Sequence, residues 1–450
     1  MKDSASFQNK NLTSKRSERR IEWIGEIPED WKKRRLKYLC SITNGDEDTQ
    51  NADSDGEYPF YVRSPNIERC TRYTFNGEGI LVAGDGAGAG RIFHHAYGKY
   101  AVHQRVYILY DFKCNTIFLH YYLSNTFPNE MDRGSAQSTV PSMRLPMLLN
   151  FQIFLPSTDT QKSIADFLDS KCAKIDSLKN NIEKQIETLD QYKKSIITEA
   201  VTKGINPNVK MKDSGIDNVT KIPETWEEKK IKFLFDLVTE LNHLPMDKVQ
   251  LLSLYTDLGV FPHGEQEERG NKAVTVEGYK KVKKNDLVVN IILAWMGAMG
   301  ISKYDGVTSP AYDIYRPKSE NVNPKFYHYL FRTPWFAGEC DKHGRGIMKM
   351  RWRTYSQEFM NIKIPYPSAE EQKNIVEYLD SKCTTIDNII NSKKQQLEKL
   401  EEYKKSLIFE YVTGKKLVPS CEFSNENSEK KRGIDYEHCT DRKTVSEIHR

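Results

Sequence analysis

Apolar residues recur every seven positions in two stretches of the chain, residues 161–202 and 372–413. This heptad spacing is typical of helices that pack side by side in a coiled coil. The two stretches align at a constant offset of 211 residues without a gap, and 22 of their 42 positions are identical. The pattern predicts two copies of one long helix. The predicted coiled-coil seam consists of Leu168, Ile175, Ile182, Leu189, Ile196, Leu379, Ile386, Leu400 and Leu407.

Further apolar residues lie at intermediate positions of both predicted helices. Lys393 interrupts the apolar seam of the second copy once. The intermediate residues are Ile164, Leu178 and Tyr192 in the first copy and Ile375, Ile389 and Tyr403 in the second.

The direction of the two helices is predicted from their length. A helix of 42 residues would be about 60 Å long. The compact domain between the helices, of roughly 160 residues, would have a radius of gyration of about 15 Å. An antiparallel pair needs this domain only to connect adjacent ends, so we expect an antiparallel rod with one globular domain near each end. The alternative, in which each helix packs only on its own domain, stays open.

The rest of the chain shows a strand pattern that occurs twice. Short runs rich in β-branched and aromatic residues, bounded by turn formers, predict strands in both halves. The predicted strands are 58–62, 79–84, 100–110 and 151–156 in the first half and 249–255, 285–293, 311–315 and 362–367 in the second. Aromatic-rich helical segments occur at 115–127 and 323–336. The opening IPEDWKKRRLKYL at 27–39 recurs as IPETWEEKKIKFL at 222–234, so the duplication extends to the domains.

The predicted fold class is α+β, with two mixed α/β domains joined by two long antiparallel coiled-coil helices in a pseudo-two-fold arrangement. Disorder is expected for both ends of the chain. The predicted segments are a leader at 1–20, a first domain at 21–157, a central coiled-coil helix at 158–205, a second domain at 206–368, a distal coiled-coil helix at 369–417 and a polar tail at 418–450.

Composition limits the classes of ligand and the cellular compartment expected for the chain. Its net charge of +5 permits local basic surfaces but does not establish nucleic-acid binding. The eight cysteines include no CxxC pair, which argues against a zinc site or a disulfide scaffold and favours the reducing cytoplasm. No run approaches the roughly 18 apolar residues of a membrane span, and the polar N-terminus carries no secretory signal.

The glycine-rich segment GILVAGDGAGAG at 79–90 is the main candidate for catalysis. A dinucleotide fingerprint opens a helix, whereas these glycines alternate and precede a strand-like run, so a tight turn is favoured over a phosphate cradle. The chain has no GxxxxGK[ST], HExxH, NPPY or DPPY motif. His94, His95 and His103 lack the carboxylate or cysteine spacing of a metal site. These patterns indicate a non-catalytic chain without a metal.

Polar residues that suit DNA binding cluster near the predicted turns and loops. Arginine reads guanine by paired hydrogen bonds, glutamine reads adenine, and lysine mainly contacts phosphate. For any single residue an ordinary solvated charge is the alternative, and KHGRGIMKMRWRTY at 342–355 fits that alternative least well. The candidate DNA-binding residues are Arg63, Arg91, His103, Gln104, Arg105, Arg133 and Arg144 in the first domain and Lys342, Arg345, Lys349, Arg351 and Arg353 in the second.

Taken together, these residues resemble the specificity subunit of type I restriction-modification enzymes. The resemblance rests on the two domain openings, on the junctions PSTDTQKSIADFLD and PSAEEQKNIVEYLD, and on the YKKS ends of the helices. The segment GYKKVKKNDLVVNIILAWMGAMGISKYDGVTSPAYDIYRP resembles one common class of target-recognition domain. The resemblance covers about residues 21–417 in the correct order.

This resemblance implies a division of labour among several subunits. Each of two target-recognition domains would read half of an interrupted, asymmetric sequence in double-stranded DNA. The paired helices would act as a spacer and as the docking surface for two modification subunits, which bind S-adenosylmethionine and methylate adenine. Separate restriction subunits would use ATP and Mg to move along and cleave DNA. No cofactor is therefore expected on this chain.

One junction departs from the family pattern. The first junction, TDTQKS, lacks the glutamate-glutamine pair that the second keeps as Glu371 and Gln372. We interpret the difference as sequence drift; a weaker start of the first helix is the alternative. Two other functions stay open: a coiled-coil adaptor that bridges two proteins through its globular ends, and a nucleotide-dependent enzyme that uses the turn at 84–90.

Overall fold

The computed structural model describes residues 24–134, 141–256, 258–264, 275–347 and 352–419. The predicted disordered leader lies outside these residues, as does the predicted tail apart from its first two positions. The chain divides into two compact units. The first unit combines Met1–Lys179 with Glu398–Arg450, and the second is Asn180–Leu397.

The first unit contains short strands that precede and flank two helices. Its strands are β1 Lys32–Arg35, β2 Ser41–Asn44, β3 Tyr58–Tyr61, β4 Ile67–Cys70, β5 Phe75–Asn76, β6 Gly79–Ala83, β7 Phe93–Ala96, β8 Lys99–Val102, β9 Val106–Tyr110 and β10 Gln152–Leu155. Its helices are α1 Thr116–Gly134, α2 Leu145–Asn150 and the first part of the long helix α3 Thr158–Lys203.

Sheet β2-β9-β6-β7 is the antiparallel centre of the first unit, and sheet β4-β3-β8-β5 includes the parallel pair β3–β8. Strands β1 and β10 form a separate antiparallel pair. Helix α1 contributes Phe118, Tyr122 and Phe127 to the core because these side chains lie on its buried face. The predicted strand 100–110 is wrong in one respect: it is two strands, because the chain turns where Val106 N–H donates to the carbonyl of His103 at 2.9 Å.

The second unit repeats this plan with further strands. Its strands are β11 Met211–Ile216, β12 Val219–Pro223, β13 Glu227–Lys230, β14 Phe235–Val238, β15 Leu252–Tyr255, β16 Gly259–Pro262, β17 Lys280–Val282, β18 Leu287–Asn290, β19 Met299–Ile301, β20 Gly306–Thr308, β21 Tyr312–Pro317 and β22 Lys363–Tyr366. Its helices are α4 Pro324–Phe331, α5 Pro334–Lys342, α6 Ser356–Asn361 and the first part of the long helix α7 Ala369–Val412.

Sheet β14-β21-β18-β19 of the second unit corresponds in order to β2-β9-β6-β7 of the first, and the pair β13–β22 corresponds to β1–β10. The predicted single helix at 323–336 is wrong, since α4 and α5 are separate helices. Pro334 stands at the start of α5, and Thr333 caps that start by accepting the N–H of Phe336 at 3.2 Å. A proline at this position begins a new helix more readily than it continues the old one.

Within the first unit, the beginning of α3 runs antiparallel to the end of α7. Lys404 Nζ donates to Asp176 at 2.7 Å, and Lys179 pairs with Glu401, so the partner's number falls by three as α3 advances by three. Of the predicted seam residues in this unit, Leu168, Ile175 and Leu407 are buried and Leu400 is partly buried. The pairing of the two heptad stripes is confirmed here.

Within the second unit, the end of α3 runs antiparallel to the beginning of α7. Lys193 Nζ donates to both carboxylate oxygens of Asp387 at 2.7 Å, and Lys393 Nζ donates to Gln185 Oε1 at 2.5 Å. Lys393 thus interrupts the apolar stripe without interrupting the pairing. Of the predicted seam residues in this unit, Ile196, Leu379 and Ile386 are buried and Ile182 and Leu189 are partly buried.

The intermediate seam positions require a correction. Ile164 and Ile375 are buried, but the other four predicted intermediate residues are exposed, namely Leu178, Tyr192, Ile389 and Tyr403. On α3 the second line of the seam passes instead through Cys172, Lys179, Ile186 and Lys193, which are buried or partly buried. A lysine can pack its aliphatic stem while its ammonium group reaches an acid on the partner helix. A search for apolar spacing therefore misses this line.

A buried glutamine connects each long helix to the domain in front of it. Gln161 Oε1 accepts the N–H of Asn115 at 2.9 Å, and Gln372 Oε1 accepts the N–H of Asn323 at 2.8 Å. The first junction therefore keeps the glutamine and lacks only the glutamate. Ser157 Oγ caps the start of α3 by accepting the N–H of Thr160 at 3.2 Å, as Ser368 Oγ caps the start of α7 by accepting the N–H of Glu371 at 3.2 Å.

A glycine ends each long helix against a tryptophan. Gly204 follows α3 with a φ of +80°, and Gly414 follows α7 with a φ of +74°. A Cβ atom at Gly204 would lie 3.4 Å from the ring of Trp226, and one at Gly414 would lie 3.0 Å from the ring of Trp31. The left-handed φ favours glycine at this position. Each unit thus closes its helix end in the same way.

Candidate nucleic-acid interface

The glycine-rich segment of the first unit is a turn between antiparallel strands. Strand β6 ends at Ala83 and pairs with β7, which begins at Phe93. No helix starts at the glycines, so their amides do not form the phosphate site of a dinucleotide fold. The predicted tight turn is confirmed. The region from Gly84 to Ile92 is called the glycine turn below.

Asp85 holds two of the candidate arginines beside the glycine turn. Arg63 Nη1 donates to Asp85 Oδ1 at 2.9 Å, and Arg105 Nη1 donates to Asp85 Oδ2 at 2.7 Å. Burial alone would raise the pKa of Asp85, but the hydrogen bonds from the two guanidinium groups hold the pKa below its usual value. Both guanidinium groups remain partly open to solvent. They are therefore fixed in orientation and still able to meet a ligand.

Of the two residues before Arg105, His103 is buried and Gln104 is exposed. His103 is only 3% exposed, and its Nδ1 accepts the N–H of Arg105 at 3.0 Å. Burial lowers the pKa of His103, and the charge of Arg63 lowers it further, so the imidazole is neutral at pH 7. This position suits support of Arg105 rather than contact with DNA. Gln104 is exposed and donates from Nε2 to Asp48 at 3.0 Å.

The segment before α2 returns to the glycine turn. Arg91 pairs with Asp132 in α1. Arg133 lies in α1, and its side chain is outside the described part of the structure. Arg144 is exposed at the start of α2, one residue after Met143, whose N–H donates to the carbonyl of Gly84 at 2.8 Å. The fold thus brings Arg144 close to the glycine turn.

The second unit contains the same junction of turn and loop. Thr354 N–H donates to the carbonyl of Ile291 at 2.9 Å, beside the turn that leads from β18 to β19. Arg345 and Arg353 face each other in a short antiparallel hairpin, with backbone hydrogen bonds of 2.9 and 3.0 Å. Arg353 is exposed, and Arg345, which is also mostly exposed, pairs with Glu358 at 2.9 Å.

The remaining candidates of the second unit lie on either side of this hairpin. Lys342 ends α5 and pairs with Asp217. Lys349 and Arg351 lie outside the described residues. Trp352 donates from Nε1 to the carbonyl of Asp341 at 3.0 Å, which anchors the hairpin to the end of α5.

The arrangement suits recognition of an anion by arginines whose ion pairs can be exchanged for a ligand. Exposed ion pairs contribute only about 0–1 kcal/mol, so a phosphate or a guanine edge can take over an arginine that a carboxylate holds in the unbound protein. Sequence reasoning missed the carboxylates Asp85, Asp48, Asp132 and Glu358. The one visible signal was Asp85 itself, an acidic residue between two glycines.

Other kinds of site are not found among the described residues. No group of three or more histidine, cysteine, aspartate and glutamate side chains in the described ranges could hold a metal ion. Likewise, no helix in this part of the chain is long and apolar enough to cross a membrane.

Comparison with known families matches one family model at two places in the chain. Residues 28–188 and 223–402 both match the family model of the type I restriction modification DNA specificity domain. The two matches together cover about three quarters of the chain.

Comparison with individual proteins agrees along most of the chain. The chain is 27% identical over 433 residues to the type I restriction enzyme MjaVIII specificity subunit of Methanocaldococcus jannaschii, covering 88% of this chain and 95% of that protein. It is 23% identical over 410 residues to the type I restriction enzyme EcoDI specificity subunit of Escherichia coli, covering 84% and 87%. A solved chain from work on complex assembly and conformational transition of the type I R-M system has a TM-score of 0.60 at 12% identity, covering 86% of this chain and 98% of that one. This last similarity supports the fold alone.

Proposed function

The chain belongs to the family of type I restriction-modification DNA specificity proteins, and we propose that its two units read the two halves of an interrupted, asymmetric DNA sequence. It is a specificity subunit and not itself an enzyme. One observation carries the proposal: in both units a loop that bears arginine is hydrogen-bonded to the turn of the central sheet. The bonds join Met143 to Gly84 and Thr354 to Ile291.

The proposed reading domains are residues 21–157 and 206–368. In the first, Arg63 and Arg105 would approach bases from the glycine turn while Arg144 approaches from the loop. In the second, the hairpin of Arg345 and Arg353 would carry the main contacts. Arginine can bond guanine through two atoms at once, so different placements of arginine read different sequences. The two halves of the target would therefore differ.

The paired helices are proposed to hold two modification subunits. In the first unit, the ion pairs of Lys179 and Asp176 with α7 set Leu178 level with Tyr403, and both side chains are exposed. In the second unit the matching exposed residues are Ile389 and Tyr192. Each unit thus offers one aliphatic and one tyrosine side chain in the same repeat positions. Two copies of one partner can use such matched surfaces.

The partners would perform the chemistry in the cytoplasm. The modification subunits would bind S-adenosylmethionine and methylate adenine within the sequence that this chain selects. Restriction subunits would use ATP and Mg to act on DNA that lacks the methyl groups. The role of this chain would be to place those partners on double-stranded DNA.

Mapping of methylated adenines in the host genome, with and without this chain, tests the proposal. The expected result is a two-part motif with a fixed gap that loses its methylation when the chain is removed. Methylation that is unchanged, or that shows no sequence motif, would contradict the proposal. Gel-shift titration of the assembled complex should also show a steep loss of affinity with salt.

The gap between the two parts of the motif offers a second test. Insertion of one heptad into each long helix, near residues 185 and 395, would lengthen each helix by about 10 Å. If the helices set the distance between the half-sites, the preferred gap should widen by about three base pairs. An unchanged gap would contradict the role of the helices as a spacer.

A coiled-coil adaptor is the alternative function. It predicts that replacement of Arg345, Arg351 and Arg353 by alanine leaves DNA affinity unchanged. The proposal predicts weaker binding together with relaxed choice at one half-site only.

A further inference from the structure

Strand β1 of the first unit presents an unusual density of positive charge. Its four residues, Lys32, Lys33, Arg34 and Arg35, are all exposed. Lys37 follows in the next turn and lies 5.1 Å from the ring of Tyr38, which is also exposed. None of these five basic side chains forms an ion pair with a carboxylate in the described part of the chain. The mechanism proposed above does not use them.

These side chains border an open groove on the surface of the first unit. Lys33, Arg34, Arg35, Tyr38 and Gln152 line a volume of about 500 Å³. Such a groove, with basic walls and an exposed aromatic ring, suits an extended polyanion because cations meet its charges while the ring covers an apolar face.

The second unit has the same groove with a different charge. Glu228, Lys229, Lys230, Phe233 and Lys363 line a volume of about 560 Å³ between β13 and β22. Here Lys229 pairs with Glu227 at 2.9 Å and Lys363 pairs with Glu228 at 2.8 Å. The scaffold is therefore shared, and the excess of positive charge is larger in the first unit, because two glutamates each pair with a lysine in the second.

Protection of a sheet edge does not account for this difference. Charged residues on an edge strand discourage pairing with other chains, and a mixture of signs serves that purpose as well as one sign does. Strand β13 has such a mixture in Glu227–Lys230, whereas β1 has four positive charges without neutralisation. Like charges this close along one strand repel one another, so their accumulation indicates a negatively charged ligand.

Helix α2 connects the basic strand to the candidate reading loop. Arg144 stands at the start of α2, and Asn150 at its end accepts a hydrogen bond from Arg35 Nη1 at 3.4 Å. Six helical residues span about 9 Å, which corresponds to roughly three base pairs along the DNA axis. Strand β1 therefore lies within about three base pairs of a duplex read at Arg144.

We propose that the groove of Lys33, Arg34, Arg35 and Tyr38 is a second DNA contact of the first unit, which binds the phosphodiester backbone next to the bases that this unit reads. The inference rests on the proposed DNA-reading function. It assigns the anchoring contact to one unit only, so the two half-sites differ in how much affinity comes from charge as well as in sequence.

The test compares the same loss of charge in both grooves of the complete chain assembled with its modification subunits. The first variant is Lys33→Gln with Arg34→Gln and Arg35→Gln. The matched variant is Lys229→Gln with Lys230→Gln and Lys363→Gln. Affinity is measured over a KCl series for a duplex with the genomic target and for a scrambled duplex, and assembly is checked by size-exclusion chromatography.

The first variant should reduce the slope of log affinity against log salt by about 3, since each phosphate contact contributes about one unit. Its affinity should fall by the same factor on target and scrambled DNA. The matched variant should change the slope by clearly less. Arg34→Lys with Arg35→Lys should keep the wild-type slope, because lysine also binds phosphate.

Three results would overturn the inference. An unchanged slope in the first variant would show that the groove does not bind DNA. Equal losses in both variants would refute its restriction to one unit. Loss of assembly with the modification subunits at an unchanged slope would assign the groove to an acidic protein surface. Absence of sequence preference in the wild type would contradict the proposed function itself, which makes the two failures distinguishable.

Discussion

Gln161 joins α1 to the start of α3 in the first unit, and Gln372 joins α4 to the start of α7 in the second by the same backbone bond. At the candidate interface the two units differ. Asp85 fixes two arginines beside the glycine turn of the first unit, whereas the corresponding turn of the second leaves Leu293 and Met296 exposed beside the arginine hairpin. The contacts that hold each domain on its helix are thus repeated, and the contacts proposed to meet DNA are not.

Loss of the junction glutamines should have the largest effect on stability. Gln372 makes three hydrogen bonds at the junction, to Asn323, Asn321 and Pro367, while Gln161 makes two, to Asn115 and Pro156. Gln372→Ala should destabilise its unit by about 2–4 kcal/mol, since buried polar partners lose their bonds. Gln161→Ala should lower the free energy of unfolding of its own unit by a smaller amount.

Hydrogen exchange resolved by peptide can measure the loss in each unit. Gln396→Ala is the matched control because Gln396 is exposed on α7. A loss at Gln372→Ala no larger than that of the control would show that the repeated junction contributes little to stability.

Acidification should lower the free energy of unfolding of the first unit more than that of the second. Burial lowers the pKa of His94, His103 and His120 in the first unit, that of His120 to about 4, and the pKa of His328 in the second to about 4. Unfolded histidine binds a proton at about pH 6.5. The stability from neutral, buried histidine is therefore complete above that pH and is lost as the pH falls towards 4.

The first unit has three such histidines and the second has one, so acidification should destabilise the first unit more. Hydrogen exchange between pH 7 and pH 4.5 measures the difference, and His120→Gln should reduce the sensitivity of the first unit. Equal sensitivity of both units would contradict this prediction.

Release of the arginines should affect DNA binding in proportion to their number. Asp85→Asn frees Arg63 and Arg105, so the salt slope of binding should steepen by about one to two units. Glu358→Gln frees only Arg345 and should steepen the slope by about one. Binding over a KCl series measures both. Asp166→Asn, which removes an exposed carboxylate from α3 without releasing an arginine, is the control. A shallower slope in Asp85→Asn would contradict the prediction.

The repeated ion pairs between the helices should have the smallest and most equal effects. Lys193 with Asp387 and Lys404 with Asp176 occupy the same repeat positions with the helices exchanged. Replacement of either lysine by methionine should cost about 0.2–1 kcal/mol. Lys193→Asp combined with Asp387→Lys should restore part of the loss. Thermal unfolding measures these effects, and a large difference between the two pairs would argue against equivalent pairing.

The sequence was sufficient to predict the elements that depend on local spacing. Runs rich in β-branched and aromatic residues identified β6 and β18, heptads identified α3 and α7, and the length of the helices indicated their antiparallel pairing. The errors occurred where a polar atom redirects the chain, as at the cap of Thr333 that separates α4 from α5. Such a hydrogen bond cannot be inferred from a short stretch of sequence.

The sequence predicted which residue types form the candidate interface. It predicted less well which residues form hydrogen bonds with them. The sequence singled out the arginines, but it could not show that Asp85 holds Arg63 and Arg105 or that His103 is buried beneath them. Those facts depend on which distant strands become neighbours. The basic strand Lys32–Arg35 was visible in the sequence and was interpreted only as part of a domain opening.

The glycine-tryptophan contact at the end of each long helix has a consequence for the order in which the gene encodes the two units. In the second unit the chain runs without interruption from Gly204 to Trp226, whereas in the first unit Gly414 packs against Pro28 and Trp31, which come from the opposite end of the sequence. A short linker from Gly414 to Pro28, with a new start between Gly204 and Met211, would therefore keep the strand pairs and helix contacts described here. Recombination could exchange the order of the two readers, or replace one of them, while the scaffold stays the same.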